Sequence, residues 1–403
     1  MSIKVVVTGM GVVSCVGQDV DTFWDNVSNG VSGIKEHPES NYCNTVVKTK
    51  KVGHISNFKL DPVYNSRWSQ KVERYVQFGL NAAKQAIDQS GLDIPTMDPF
   101  RIHTVMGTCM GGYDFVKENL NKIENGNRIS PGFMSGHIVN MLSSYINMHY
   151  GIRGSGMVIA AACAGNSSLS IAAMMIETGM ADVVVAGASE CWINDLCIAG
   201  FESIGAMSPN DTMRPFDVDR NGFSIGEGAG VLILESEEHA RRRGADIICR
   251  LSGWGFSSDA EHPTTPALDG LAATKAIQNT LAKAQINATD IDYINAHATA
   301  TQAGDPIETR TLYNVFSDKP YISATKSIHG HCIGASSLIE SVISILSLTN
   351  NQVPGTVNLE NIDHEKCPGN HVKQTIDAPI NHVISNSFGF GGANAMVVFS
   401  KFE

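Results

Sequence analysis

Hydrophobic positions along the chain alternate between short runs rich in β-branched residues and longer stretches with helical spacing. Short runs of this kind predict buried strands, and the stretches between them predict helices, which together indicate layers of sheet and helix in an α/β protein. The predicted strands cover residues 3–8, 102–107, 157–161, 182–187, 230–235, 293–296, 382–385 and 395–399. The predicted helices cover residues 68–90, 167–178, 271–284 and 336–348.

A glycine-rich turn feeds the last predicted strand in each half of the chain, at residues 226–230 and 389–394. This similarity indicates a weak internal duplication, although α/β proteins often place glycine before a buried strand. No proline-rich or low-complexity linker separates the halves. We therefore expect two fused units, residues 1–245 and 246–403, joined near 240–255 into one body.

Composition narrows the class of protein. The chain has 403 residues, of which 43% are hydrophobic and 17% charged, enough to bury a large core. A formal net charge of −11 argues against a nucleic-acid surface, although a local basic patch can still bind an acidic protein. No apolar stretch of the sequence is long enough to span a membrane, and the first residues do not resemble a signal peptide. We therefore expect a cytosolic location. The nine cysteines form no CxxC pair, which argues for reduced thiols and against a bound metal.

One cysteine lies in a predicted strand-turn-helix segment that suits a nucleophile. Residues 157–168 predict a buried strand, a tight turn of small residues and then a helix, with Cys163 near the helix N-terminus. The helix dipole stabilises a thiolate there, and nearby backbone N–H groups can bind an acyl oxyanion. Cys163 is therefore a candidate nucleophile for thioester chemistry, with a buried structural cysteine as the alternative.

Two histidines lie among small residues that leave room for a ligand. His297 directly follows a predicted strand, and Thr299 and Thr301 are placed to hydrogen-bond a pantetheine arm. His331 comes just before a predicted helix. Each histidine alone is more often a structural group than a functional one.

Other chemistries fit these segments poorly. A metal site built from His329, His331 and Cys332 lacks a second pair of ligands at recognisable spacing. Hydrolysis by a Ser-His-Asp triad lacks the GxSxG turn. Cys163 is therefore the best-placed nucleophile.

Ordered motifs spread over nearly the whole chain resemble the β-ketoacyl-acyl-carrier-protein synthase family, especially its elongating synthase II type and the type II polyketide ketosynthases. These motifs are Val7-Thr8-Gly9-Met10-Gly11-Val12-Val13-Ser14, Arg214-Pro215-Phe216-Asp217, Arg220-Asn221-Gly222-Phe223, Gly226-Glu227-Gly228-Ala229-Gly230 and Asn386-Ser387-Phe388-Gly389-Phe390-Gly391-Gly392-Ala393-Asn394. The resemblance implies a thiolase-like fold, a duplicated five-layer α-β-α-β-α sandwich, and a dimer with its interface beside the active sites.

The resemblance also implies residue roles. Cys163 is the acyl nucleophile, His297 and His331 assist decarboxylation, and Lys326 and Glu308 form a supporting ionic network. The amides of Cys163 and Phe390 form the oxyanion hole, and Phe390 is the gating phenylalanine. In the implied ping-pong reaction, Cys163 takes an acyl group from an acyl carrier protein and a malonyl carrier then decarboxylates and attacks it. No metal or resident cofactor is required, because the phosphopantetheine belongs to the carrier.

Further positions match the acyl pocket, the gating loop and the carrier-docking face of the family, or lie close to them. Met110 and Phe133 match the pocket, Phe133 from across the dimer, and Trp192 and Cys197 occupy nearby positions that usually hold smaller residues. The other candidates for substrate binding are Phe201, Thr264 and Thr265, and those for carrier docking are Arg67, Lys71, Arg74 and Arg128. Core packing and ordinary solvated charges are the alternatives for these residues.

Departures from the family pattern concern substrate range more than chemistry. They are Ala298 after the first histidine, Ala164-Gly165-Asn166 after the nucleophile, and His329 before Gly330-His331. A polyketide or aryl-polyene ketosynthase paired with a homologous chain-length factor is an alternative within the same enzyme class, and a ketosynthase-like acyltransferase is another. A noncatalytic chain-length factor is disfavoured by Cys163, and a thiolase would need a second cysteine within 388–392.

Overall fold

The computed structural model describes residues 3–37, 47–65 and 71–402. Its strands are β1 (Val5–Ser14), β2 (Lys35–Glu36), β3 (Lys51–Val52), β4 (Ile102–Thr108), β5 (Gly156–Ala160), β6 (Val183–Glu190), β7 (Gly228–Ser236), β8 (Cys249–Ser258), β9 (Tyr293–Asn295), β10 (Tyr321–Ser323), β11 (Gln352–Val353), β12 (Asn370–His371), β13 (Ile376–Asp377), β14 (His382–Gly389) and β15 (Ala393–Lys401). Its α-helices are α1 (Val20–Ser28), α2 (Arg74–Ser90), α3 (Asp114–Glu124), α4 (Phe133–His137), α5 (Met141–Tyr150), α6 (Ala164–Glu177), α7 (Asp195–Ser203), α8 (Glu237–Arg242), α9 (Leu271–Ala284), α10 (Gly304–Phe316), α11 (Lys326–His329) and α12 (Ser336–Asn350).

The central sheet of the described residues is built from two halves that meet along a short seam. Its strand order is β12-β10-β9-β14-β15-β8-β1-β7-β6-β4-β5. Only two residue pairs, Val6 with Arg250 and Val7 with Cys249, join β1 to β8. Strands β1 and β4–β7 form one half, and β8–β10, β12, β14 and β15 form the other. The division into units 1–245 and 246–403 stays a prediction.

Helices cover the two halves of the sheet in three layers. Helix α2 packs on β1, β6 and β7, and α5 packs on α2. Helices α6 and α12 contact each other and strands of both halves, so they lie between them. Helix α9 packs on β8 and β15, with α10 against it. The predicted five-layer α/β arrangement is confirmed.

The middle layer explains an unusually apolar helix. Residues Ile333–Asn350, which include α12, are long and apolar enough to cross a membrane by length and composition. However, 89% of this stretch is buried inside the protein. Its hydrophobic residues are the core between the two halves of the sheet.

Strand β8 was missed by the sequence pattern. It lies in the region where only a joint between the halves was expected, and two glycines interrupt its apolar positions. A Cβ on Gly253 would lie 2.4 Å from the carbonyl oxygen of Thr280, and one on Gly255 would lie 2.8 Å from that of Ala276. These glycines are therefore required for α9 to approach the strand closely. The predicted helix 68–90 begins at Arg74 in the described residues.

Candidate active site

Cys163 lies where the chain passes from β5 into α6. It is the N-cap residue of α6, and its side chain makes no capping hydrogen bond. The first turn of α6 is anchored by Asn166, whose side-chain amide donates to the carbonyl oxygens of Ser385 (3.1 Å) and Ala395 (3.2 Å). The turn that carries Cys163 is thereby tied to the β14–β15 hairpin.

The thiol of Cys163 is fully buried and donates a hydrogen bond of 3.2 Å to the carbonyl oxygen of Ala393. Burial raises the pKa of this thiol to about 12, while a hydrogen bond with Ser387 and the charge of Lys326 act in the opposite direction. Burial therefore opposes the thiolate that the helix N-terminus favours, and the resting protein holds a protonated thiol.

The segment Gly389–Phe390 runs directly beside Cys163. A Cβ on Gly389 would lie 3.1 Å from the sulfur of Cys163 and 3.4 Å from its amide nitrogen. Among the residues that the structure describes, neither the Cys163 amide nor the Phe390 amide has a hydrogen-bond partner. Both N–H groups are therefore free to bind a thioester oxygen.

The ring of Phe390 is 46% exposed and lies 6.2 Å from the ring of Phe201. The loop after β8 is fastened to the turn that carries Phe390. Gly391 donates a backbone hydrogen bond of 2.7 Å to Pro263, and Asp259 donates one of 2.9 Å to Gly392. The two loops that resemble the gating elements of the family are therefore joined.

His297 follows β9 and is held through its backbone. The amides of His297 and Ala298 donate to the two carboxylate oxygens of Glu308, at 2.8 and 2.7 Å. Burial, followed by the charges of Lys326 and His331, lowers the pKa of His297 well below its usual value. Its ring is therefore neutral.

His331 meets His297 edge to face, with ring centroids 5.5 Å apart. Its Nδ1 lies 3.0 Å from the hydroxyl of Ser336. When that hydroxyl donates, the proton of the neutral ring is on Nε2. Burial and the charges of Lys326 and His329 lower the pKa of His331 well below its usual value. The site thus holds two neutral imidazoles.

Lys326 begins α11 and is fully buried. Its Nζ donates a 2.6 Å hydrogen bond to Glu340 of α12, which is also fully buried. Glu308, the partner implied by the resemblance, is not within ion-pair distance and interacts with Lys326 only through longer-range electrostatics. Burial raises the pKa of both Glu308 and Glu340 to about 7, against the effect of Lys326. Glu340 is therefore the direct partner of this lysine.

A cavity of about 1400 Å³ connects these groups. His297, His331 and Phe390 line it, whereas Cys163 lies behind Ala162 and Gly389 in its wall. Most of the predicted substrate-binding residues also line it, namely Met110, Trp192, Cys197, Phe201, Thr264, Thr265, Thr299 and Thr301. Phe133 lies instead on α4, stacked on His137 at 5.5 Å, outside the cavity of its own chain.

The predicted docking cations differ in their surroundings. Lys71 and Arg128 are exposed. Arg74 donates to the buried carboxylate of Glu227 at 2.8 Å and to the carbonyl oxygen of Ile55 at 3.1 Å, so much of its hydrogen-bonding capacity is used within the chain. Arg67 lies outside the described residues.

Sequence reasoning missed Glu340, Ser336 and Glu190. Glu190 is buried and accepts a 2.6 Å hydrogen bond from the amide of Cys109, which lines the cavity. A signal for Glu340 existed, because it is the one charged residue in the apolar helix α12. Burying a carboxylate is costly unless it is paired, so an acid in such a helix predicts a buried cation nearby. The two other residues carry no comparable signal in the sequence.

Comparison with known proteins shows the family to which the chain belongs. Residues 3–240 match the Beta-ketoacyl synthase N-terminal domain and residues 248–360 match the Beta-ketoacyl synthase C-terminal domain. Curated proteins described as 3-oxoacyl-[acyl-carrier-protein] synthase 2 are 36% identical in Coxiella burnetii and 37% identical in Vibrio harveyi. The alignments cover 99% of this chain and 98% of each relative.

Two solved structures align with this chain over its whole length. A type II polyketide ketosynthase, solved with its acyl-carrier protein, is 31% identical with a TM-score of 0.91. The ishigamide ketosynthase/chain length factor is 28% identical with a TM-score of 0.92; both alignments cover 100% of each chain. The fold and these relatives thus define a thiolase-fold condensing enzyme. Within that class, the chain belongs to the β-ketoacyl synthase family.

Proposed function

We propose that this enzyme transfers an acyl group to Cys163 and condenses it with a malonyl group held on an acyl carrier protein. The product is a β-ketoacyl carrier two carbons longer. The observation that carries this proposal is the meeting of a helix-terminal cysteine, two unpaired amides and two neutral histidines around one cavity.

In the first half-reaction, the sulfur of Cys163 attacks the thioester carbonyl of the acyl carrier. The Cys163 and Phe390 amides bind the oxygen as it gains negative charge. The C–S bond to the carrier breaks, and the proton lost by Cys163 is balanced by the proton gained by the departing carrier thiol. Lys326 favours this step because its charge lowers the pKa of the thiol, against burial.

In the second half-reaction, the malonyl carrier loses CO2 and becomes an enolate. We assign His297 and His331 as neutral N–H donors to the thioester oxygen, where the enolate charge develops. The enolate carbon attacks the acyl group on Cys163, the C–S bond breaks, and the thiolate released takes up a proton. The phosphopantetheine is supplied by the carrier, and we propose no resident cofactor or metal.

The substrate pathway, fatty acid or polyketide, belongs to the proposal together with the partner. The ishigamide enzyme pairs a ketosynthase with a chain length factor. In the described part of this chain β5 is one of the two edge strands of the large sheet, and Met134, Met148 and Met157 nearby are 37–62% exposed. An exposed edge with apolar surroundings suits pairing with another chain. We propose a second copy or a homologous chain-length factor as that partner.

Carrier docking is proposed for the exposed cations Lys71 and Arg128, with Arg67 and Arg74 in the same segments. Carrier proteins are acidic, so complementary charge accelerates their encounter with a basic patch. We propose a cytosolic location for the whole reaction.

The test is incubation of the purified protein with acyl carriers of varied length and malonyl carrier, followed by product mass, with Cys163→Ala as control. Extension by two carbons that depends on Cys163 supports the proposal. Acylation without extension would point to a missing partner subunit or to simple acyl transfer. Equal activity of the alanine variant would refute the assignment.

A further inference from the structure

We propose that Ser336 is a positioning residue that keeps His331 in the tautomer with its proton on Nε2, the ring nitrogen that Ser336 does not occupy. This inference rests on the proposed condensing function and adds a residue to its decarboxylation half-reaction. It also makes the two histidines of the site unequal, because His297 has no such partner among the residues that the structure describes.

The imidazole of His331 is held by its backbone and by a neighbouring ring. The amide of His331 donates to the carbonyl oxygen of Ser224 at 2.8 Å, and its own carbonyl oxygen accepts from the amide of Gly226 at 2.9 Å. The ring of Phe223 meets the imidazole edge to face, with ring centroids 5.0 Å apart. The position of Nδ1, 3.0 Å from the hydroxyl of Ser336, is therefore set by several contacts.

The turn that follows the histidine places the serine. Residues Ile333–Ala335 form a short 3₁₀ turn, and Ser336 is the first residue of α12 and is 2% exposed. This turn is tightly packed at Gly334, where a Cβ would lie 2.7 Å from the amide nitrogen of Cys109 and 2.8 Å from the carboxylate of Glu190. The hydroxyl of Ser336 therefore has little freedom to move away from the imidazole.

The hydroxyl of Ser336 is the donor of this hydrogen bond. A serine in a helix often donates to the carbonyl oxygen four residues earlier, as Ser344 does at 2.8 Å. For Ser336 that oxygen belongs to Cys332 and accepts from the amide of Ala335 at 2.9 Å instead. In the described part of the chain, Nδ1 of His331 is the one hydrogen-bond partner of the Ser336 hydroxyl. Because a buried hydroxyl that only accepted would leave its own proton unpaired, Ser336 donates.

Donation by Ser336 determines where the proton of the neutral ring lies. A neutral imidazole has one N–H group, so an accepting Nδ1 leaves the proton of His331 on Nε2. Nδ1 of His297 is buried and lacks a hydrogen-bond partner within the described residues, so no side chain there selects its tautomer. His331 is therefore the pre-organised N–H donor of the pair for the oxygen of the enolate.

The experiment compares wild type with Ser336→Ala and Ser336→Thr, and uses Ser344→Ala as the matched control. Ser344 is a second buried serine of α12, but its hydroxyl donates to a backbone carbonyl oxygen. One measurement is CO2 release from malonyl carrier, analysed as kcat and KM. The other is the ¹⁵N chemical shifts of the His331 ring, assigned by their loss in His331→Gln. Cys163 acylation by mass and a melting curve show whether each variant is folded.

We expect wild type to have a protonated Nε2 and an unprotonated Nδ1 on His331 at neutral pH. Ser336→Ala should lose this fixed pattern because a buried nitrogen loses its partner. Its kcat for CO2 release should fall about tenfold to a hundredfold, with little change in KM or in Cys163 acylation. Ser336→Thr keeps the hydroxyl and should return both measurements toward wild type, and Ser344→Ala should match wild type.

Two results would overturn the inference: a proton on Nδ1 of His331 in wild type, or a folded Ser336→Ala variant with wild-type ¹⁵N shifts and kcat. The wild-type shifts test the tautomer even where the alanine variant does not fold. A folded wild type with the expected shifts that neither releases CO2 nor acylates Cys163 would instead refute the proposed function.

Discussion

The buried pair Lys326–Glu340 allows the effect of Lys326 on folding stability to be measured separately from its effect on the reaction rates. Both side chains are fully buried and 2.6 Å apart. Removing one partner of such a pair costs about 3–5 kcal/mol, because an uncompensated charge remains, whereas replacing both by apolar residues is often neutral or stabilising. Lys326→Met and Glu340→Leu should each destabilise by about this amount, and the double variant should return close to wild type.

The chemistry should not recover in the double variant. Lys326 lowers the pKa values of Cys163, His297 and His331, so its loss affects both half-reactions. Removing the charge of Lys326 raises the thiol pKa, so acylation should fall in the double variant, by about tenfold for each pKa unit of that rise.

The assay pairs urea unfolding midpoints with the two rates for wild type, both single variants and the double variant. A double variant as unstable as the sum of the single variants would refute the direct pairing of Lys326 with Glu340. A stable double variant with wild-type rates would refute the electrostatic role of Lys326.

Three further predictions follow from individual residues. His297→Ala should lower malonyl decarboxylation by about 10²–10³ while Cys163 acylation, measured by mass, persists, and equal loss of both rates would contradict its role as enolate donor. Burial lowers the pKa of His329 to about 3. Below about pH 6.5 this histidine is therefore protonated in the unfolded chain but stays neutral in the folded one, and the protein becomes less stable as the pH is lowered. His329→Leu should therefore recover about 2 kcal/mol at about pH 5 relative to neutral pH, and parallel acid-unfolding curves would contradict this. Gly389→Ala should slow acylation, because the new Cβ would lie 2.5 Å from that of Ala162. Gly200→Ala is the control, since a Cβ there meets no atom within 4 Å and should leave acylation unchanged. Equal acylation rates for the two variants would contradict the crowding at Gly389.

Much of the fold follows from local pattern. The predicted helix 271–284 coincides with α9, and the predicted strands 102–107 and 157–161 lie within a residue of β4 and β5. Strand β8 was not predicted because glycines interrupt its apolar pattern. These glycines allow α9 to pack closely on the strand, and this long-range contact cannot be read from the local sequence. The order of strands across the seam between β1 and β8 likewise depends on contacts far apart in the chain.

The site was predicted best where it consists of motifs and least well where it depends on long-range pairing. The segments around Cys163, His297 and His331 each carry a local pattern, and the structure brings the two histidines to one cavity, with the buried cysteine behind its wall. The Lys326–Glu340 pair joins two helices whose contact no local pattern specifies. Burial of the thiol, which raises its pKa, likewise arises from the tertiary packing around the helix N-terminus.

The most direct test of the central claim is a single-turnover experiment on the isolated acyl-enzyme. The protein is acylated and separated from the donor, and the acylated residue is identified by peptide mass. The acyl-enzyme is then mixed with malonyl carrier, and the acyl group on Cys163, the extended product and CO2 are measured together. We expect the acyl group lost from Cys163, the extended product and CO2 to be equal in amount. An acyl group mapped to another residue, or product formed while Cys163 stays acylated, would contradict it.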